Sequence, residues 1–262
     1  MKKFNSIYIA LIALLTLGSC AESQDDKSAG NNAPTVNLSV TRATGSSQDG
    51  TINTDGVYYE DRVKNLAMLV FDSSTGEKVG EYYEDNISMT GNNMFVVKLT
   101  PGQRDFYFVA NMPNTDMESI ATETAMNTYM NVMRNLDTDL YKGATSDKAF
   151  PMSRVYTNQT VAKGGSIYQP IPFQPNGESE IKLIRVTAKL EISFPLSGAT
   201  GNIGVKSVTL HNANAQYCLV NPSTTSPTSY SSDITLTKEG SADTYYCYMP
   251  EAIITPPTTW NT

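Results

Sequence analysis

At 262 residues, with 40% hydrophobic and 17% charged side chains, the chain is long enough for one or two domains. Its Ser, Thr, Asn and Gly content suits an extracellular β protein better than a helical cytosolic enzyme. A net charge of −7 argues against a nucleic-acid partner, because no basic patch offers counterion release.

The N-terminus carries an export signal. Lys2 and Lys3 precede a short apolar run, Ile7 to Leu17, closed by Leu17-Gly18-Ser19-Cys20. The run is too short for a permanent membrane helix, which needs about 20 residues, so a signal peptide over residues 1–19 is expected. The small residues before Cys20 match a bacterial lipobox, in which the cysteine is acylated; the plainer alternative is an ordinary signal peptide. A polar tether follows, with the acidic stretch Ala21 to Asp26 resembling a surface-export signal of Bacteroidota lipoproteins.

Residues 35–41 read as a strand: Val36, Leu38 and Val40 alternate with Asn37, Ser39 and Thr41. Arg42, Ala43 and a Gly/Ser/Thr/Asp-rich stretch to residue 56 come next, and order is expected again from about Val63. Leu66 to Phe71 is a buried-strand run ended by a turn at Asp72 to Gly76. Met94 to Leu99 and Phe106 to Asn111 are further strands, spaced as in a sandwich or barrel. One helix is predicted from Asn114 or Thr115 to about Asn135. Met117, Ile120, Ala121, Met126, Met130 and Met133 would lie on a sheet, in preference to forming an adaptable binding stripe.

Val155 to Val161 is a strand, followed by a Lys163-Gly164-Gly165 turn and a Pro-interrupted edge segment at 167–175. Residues 181–194 alternate best of all. Ile184, Val186, Ala188, Leu190, Ile192 and Phe194 are set against Arg185, Thr187, Lys189, Glu191 and Ser193, which predicts one long strand. Pro195 and Gly198 mark an expected domain junction. Val205 to Leu210, Gln216 to Val220, Ile234 to Thr237 and Thr244 to Met249 then make a smaller β region.

Catalytic chemistry is hard to assemble from this sequence. His211 is the only histidine, so imidazole-rich metal sites are excluded within one chain, and a surface role is expected for it. No nucleophile-elbow, phosphate-loop or zinc-protease motif is present; neither an enzyme nor a cofactor is expected. Carboxylates such as Glu84-Asp85 lie in polar segments and read as solvated, although a glycosidase with two distant carboxylates shows no local signature. Tyr58-Tyr59, Tyr82-Tyr83 and Tyr245-Tyr246 could form sugar platforms, or simply be strand residues. Cys218 and Cys247, both flanked by apolar or aromatic residues, fit either a disulfide or buried free thiols.

Taken in order, the lipobox, the strand ending at Arg42, and Leu66 to Phe71 lead to Phe108-Val109-Ala110-Asn111-Met112-Pro113. Phe150-Pro151-Met152-Ser153, Leu183 to Glu191 and Tyr246-Cys247-Tyr248-Met249-Pro250-Glu251 complete the series. Together they resemble the fimbrillin family of Bacteroidales, the major fimbrial subunits of type V pili. The resemblance implies two β-sandwich-like (transthyretin-like) domains, 43–194 with one short helix and 195–262, behind a propeptide at 20–42. It implies a palmitate-bearing lipoprotein held in the outer membrane through Cys20, cut by an Arg-specific protease after Arg42 so that Ala43 becomes the mature N-terminus. The strand carrying Val36, Leu38 and Val40 would be removed. A strand from a neighbouring subunit would fill the groove, building a homopolymeric extracellular fimbrium that supports adhesion to host or bacterial surface receptors. Family subunits carry further C-terminal strands thought to act as donors. This sequence stops at Thr262, so either it is a fragment or the subunit does not donate in that way. Alternatives are a fimbrial anchor, a tip adhesin, or a surface glycan-binding lipoprotein.

Overall fold

The computed structural model describes residues 36–41, 59–87, 94–179, 181–194, 204–220, 233–240 and 243–250, with backbone alone at 36–41 and 94. Its centre is a five-stranded antiparallel sheet. β1 (Val36–Thr41) lies outside that sheet; β2 (Leu66–Asp72) and β3 (Lys78–Glu84) form a hairpin within it. The hairpin turn is set by Asp72, whose carboxylate accepts from Ser74 and Thr75 amides, and by Gly76 at φ 70°. β4 (Met94–Leu99) leaves the sheet, and β5 (Gly102–Ala110) returns to pair with β2.

β2 and β5 are buried on both faces, and this explains their unbroken apolar runs: Leu66 through Phe71 and Phe106 through Ala110 are all at most 3% exposed. Tyr107 Oη on one face lies 2.8 Å from Glu123 Oε1 and 2.9 Å from Asn127 Oδ1 of the helical layer. The neighbouring Phe106 and Phe108 rings face the opposite way and meet Phe173, 4.2 and 6.4 Å between centroids.

The expected single helix is two. α1 (Thr115–Glu118) and α2 (Glu123–Asn131) are separated by an extended Thr122, φ −133° and ψ 152°. The intervening backbone is claimed by the β2–β3 hairpin: Lys78 N donates to Ala121 O and Glu123 N to Gly76 O. Asn114 does not cap α1 with its side chain, which donates instead to Asp85. The core role of the methionines holds for Met117, Met126 and Met130, all 0% exposed, while Met133 is half-buried and Ala121 exposed. β6 (Arg134–Asn135) ends this stretch as a strand.

β7 (Met152–Val161) pairs with β5, and β8 (Ile171–Pro172) belongs to a different sheet. The long strand expected at 181–194 is broken in two. β9 (Ile184–Arg185) completes the central sheet beside β7. After Val186, whose N–H donates to Pro151 O, the chain changes sheets and β10 (Thr187–Ser193) pairs elsewhere. The expected face is reversed only at the junction, where Thr187 is buried and Ala188 exposed; beyond it Leu190, Ile192 and Phe194 are half-buried and Lys189, Glu191 and Ser193 exposed, as expected.

β11 (Thr209–Leu210), β12 (Gln216–Tyr217), β13 (Ile234–Thr235), β14 (Thr237–Lys238) and β15 (Thr244–Pro250) follow. β15 is the central strand of β10-β15-β14. Leu236, Tyr245 and Cys247 form a small second core with Leu190, Ile192 and Phe194. Tyr217, Leu219 and Tyr248 pack into the main one, and β12 pairs with β6. Cys218 and Cys247 are free buried thiols, so the disulfide alternative is not adopted; burial pushes both thiols up from their ordinary pKa.

Candidate functional site: a strand slot

β1 is the middle strand of a three-stranded sheet, order β4-β1-β8. Its six residues pair antiparallel with β4, Val36 opposite Leu99 through Thr41 opposite Met94. On the other side it runs parallel to β8, with Leu38 beside Ile171 and Ser39 beside Pro172. The register has a consequence for burial. Positions 36, 38 and 40 fall opposite Leu99, Val97 and Phe95, which are 2%, 7% and 8% exposed. Positions 37 and 39 fall opposite the exposed Lys98 and Val96.

The slot occupied by β1 has a built floor. β4 packs on the edge of the central sheet, where Phe95 stacks on Tyr82 at 3.9 Å between centroids. Leu99 sits where Gly80 lacks a side chain: a Cβ at that position would come within 2.3 Å of Leu99 Cδ2. On the β8 side Ile171 packs against the main core and Phe173 is buried within it. Both walls therefore belong to the body of the protein.

Downstream of β1 the chain is tied down afresh. A short 3₁₀ turn, Tyr59–Asp61, brings Glu60 and Asp61 to Arg185 at 3.2 and 3.6 Å, and Tyr248 Oη donates to Glu60. Asn111, held at φ 62°, accepts from Lys64 N and donates to Arg62 O and Phe150 O. The sequence Phe-Val-Ala-Asn-Met-Pro thus contributes a side-chain clasp that joins three segments. With this anchorage, severing the chain between residues 41 and 59 leaves the central sheet and its attachments covalently intact.

Val36, Leu38 and Val40 are all in β1. Cys20, Arg42 and Ala43 lie outside the described residues, as do Tyr58 and the expected junction at Pro195 and Gly198. His211 Nδ1 lies 2.7 Å from Asp233 Oδ1 on the exposed surface, the surface role expected of it. Among the described residues no group of three His, Cys, Asp or Glu side chains could hold a metal. A polar cleft of about 550 Å³ opens beside the clasp, with Lys64, Asn65, Asp85 and Asp137 in its wall. Lys148 holds Asp137 below the usual carboxylate range, the opposite of what a general acid needs. β8 lies within the edge segment expected at 167–175 and is an edge strand, but its parallel pairing with β1 was not foreseen. Its signal is faint, an Ile-Pro pair behind a glycine turn.

β1 is thus a short strand held by backbone pairing on both sides, antiparallel to β4 and parallel to β8, in a sheet that packs on the body of a mostly-β protein. The family model for the major fimbrial subunit protein (FimA) matches residues 35–194, beginning one residue before β1. The minor fimbrium tip subunit Mfa3 of Porphyromonas gingivalis is 44% identical over 264 residues, covering 99% of this chain and 58% of that protein. The chain thus spans little more than half the length of this relative. The solved structure of the C-terminally truncated tip protein Mfa3 superposes with a TM-score of 0.74 over 85% of this chain and 71% of that one. A putative cell adhesion protein from Parabacteroides distasonis, 16% identical, shares the fold at a TM-score of 0.50, covering 86% of this chain and 72% of its own. The chain belongs to the FimA-type fimbrial subunit family, whose matched members are structural subunits and not enzymes.

Proposed function

We propose that this fimbrial subunit is exported as a lipoprotein acylated at Cys20 and then cleaved by an Arg-specific protease after Arg42. Ala43 becomes the mature N-terminus. Loss of β1 opens the slot, and a strand of a neighbouring fimbrial subunit takes its place. The precursor is held in the outer membrane and the mature subunit, with domains at 43–194 and 195–262, joins the extracellular fimbrium and supports adhesion.

The observation that carries this reading is the two-sided pairing of β1 between β4 and β8. A vacated middle position leaves two strand edges facing each other, each with unpaired N–H and C=O groups. It also uncovers the side of β4 that holds Phe95, Val97 and Leu99, and apolar side chains of that size contribute about 1.5–3 kcal/mol each when buried. A replacement strand regains both contributions, which makes strand addition the natural joint.

Within the fimbrium, the 44% identity to a tip subunit favours a terminal position over a repeating one. A subunit at the end of a head-to-tail filament needs only one half of the joint, and the slot is that half. The test is to treat the exported protein with an Arg-specific protease, sequence the new N-terminus, and add a labelled peptide of residues 35–41. Cleavage before Ala43 followed by peptide uptake is expected. An intact Arg42 bond, or cleavage without uptake, would overturn the proposal.

A further inference from the structure

Ile167 and Tyr168 stand apart on this surface. They are 68% and 92% exposed, against 38–47% for the other exposed large apolar residues among those described, and they are sequence neighbours. Single exposed apolar residues are ordinary, whereas contiguous exposed apolar surface is a mark of contact sites, and here the two most exposed residues adjoin.

The backbone that presents them is well fixed. Ser166 N donates to Gln169 O at 3.0 Å, and Gln169 N donates back to Ser166 O at 3.1 Å and to Ser166 Oγ at 3.0 Å. Ile167 and Tyr168 are the two tip residues of this closed turn. Gly164 and Gly165 lead into it at φ 142° and 74°, values that side-chain-bearing residues rarely adopt, and a Cβ on Gly164 would press on Ile171 at 3.2 Å. Pro170 stiffens the exit. A rigid turn loses little conformational freedom when it docks, and tyrosine on such a support is a common centre of binding energy.

Its place in the fold identifies the partner. The turn runs directly into β8, and Ile171 sits beside Leu38 of β1. Tyr168 is separated from Ile171 by at most about 10 Å of chain. Any strand occupying the β1 position, whichever way it runs, has one end beside this turn.

We propose that the Ile167–Tyr168 turn is a second contact for the neighbouring fimbrial subunit, seated against apolar residues that flank the strand entering the slot. The proposal rests on the strand-exchange reading. The slot supplies backbone pairing that tolerates many sequences; the turn supplies a side-chain contact that discriminates among subunits.

The test uses the full chain, expressed in the fimbriate bacterium, with Ile167→Ser and Tyr168→Ser combined. The double variant should be processed at Arg42, melt at the wild-type temperature, and bind the labelled 35–41 peptide as tightly as wild type after cleavage. Its recovery in fimbriae sheared from the cells should fall at least about tenfold, the scale of losing one binding hot spot. Ile167→Val with Tyr168→Phe should restore recovery. Undiminished recovery of the serine variant, with peptide binding intact, would overturn the contact and leave the slot standing. Failure of the cleaved wild type to take up the peptide would overturn the slot reading and the turn contact with it. Serine-variant fimbriae at normal yield, with loss of binding to phosphatidylethanolamine–phosphatidylglycerol vesicles, would reassign the pair to a membrane surface and overturn the proposal.

Discussion

β1 and β2 are strands of similar length, each paired on both sides, yet their hydrophobic patterns differ. β2 reads Leu-Ala-Met-Leu-Val-Phe-Asp, and its first six residues are at most 2% exposed, so the core closes over both faces. β1 reads Val-Asn-Leu-Ser-Val-Thr, and only alternate positions fall opposite buried residues of β4. A strand buried on two faces cannot leave without dismantling the core. A strand with one face on the body of the protein is the kind that the proposed exchange could replace with another of like pattern. Continuous hydrophobicity in β2 thus marks burial on two faces, and alternation in β1 marks a strand with one face on the body of the protein, the pattern that the proposed exchange requires.

The largest effect expected is on the permanent side. Phe108→Ala removes a ring that is 1% exposed and touches Tyr156 and Phe173, and should cost about 3–5 kcal/mol in urea unfolding. Excision of β1 after Arg42 should instead leave a cooperative unfolding transition, and Phe108→Ala should cost the same before and after cleavage. If the cleaved protein loses its cooperative transition, β1 is as integral as β2 and the contrast collapses.

A smaller effect is expected where the two regions meet. Gly80→Val in β3 places carbon atoms where Leu99 of β4 now packs, and overfilling of this kind costs about 1–3 kcal/mol. Because Leu99 lies opposite Val36, the same substitution should weaken uptake of the 35–41 peptide. Normal uptake in a destabilised Gly80→Val protein would show that the slot wall is independent of the sheet beneath it.

Much of this contrast was legible in the sequence, and the failures have physical causes. β1, β2, β4 and β7 follow from hydrophobic period and turn residues because those signals are local, whether the strand alternates or is buried throughout. The sheet change at Val186 was not legible, since a perfect alternation over 184–194 does not say which neighbour each half pairs with. The break before α2 arises from hydrogen bonds to Gly76 and Lys78, distant in sequence. The slot was half legible: the β1 pattern announced a strand, but its parallel neighbour, a two-residue stretch between prolines, carries almost no period at all.

A pH effect should also separate the regions. Asp72, at the end of β2, is pushed down from 3.8 to about 2, chiefly by hydrogen bonds from the Ser74 hydroxyl and amide, with the Arg104 charge adding to them. A carboxylate lowered on folding stabilises above its unfolded value and loses that contribution as pH falls through the folded one. The Asp72 contribution should therefore be full above about pH 4 and fade toward pH 2, and Asp72→Asn should flatten that part of the acid limb. Urea midpoints of the two proteins between pH 5 and 2 check this. Cleavage after Arg42 should leave the difference unchanged, because Asp72 anchors the permanent hairpin.

The smallest effect expected comes from the cap of α2. Thr122 Oγ1 accepts from Ala125 N at 3.3 Å, and the residue is extended, as an N-cap should be. The bond is long and exposed, which places Thr122→Ala near the lower end of the range for cap removal, about 0.5–1 kcal/mol. Thr122 also bridges to Glu77 through its backbone, a contact alanine keeps, so the loss should reflect the hydroxyl alone. Through Met126 and Met130 the helix packs into the main core, and Tyr107 of β5 reaches it by hydrogen bonding. The substitution should therefore lower the urea midpoint slightly and leave peptide uptake at the wild-type level. Serine at the same position, which keeps a hydroxyl acceptor, should recover most of the loss. Reduced peptide uptake in Thr122→Ala would mean that the helical layer and the slot are coupled through the sheet, and the division between a permanent body and an exchangeable strand would have to be redrawn.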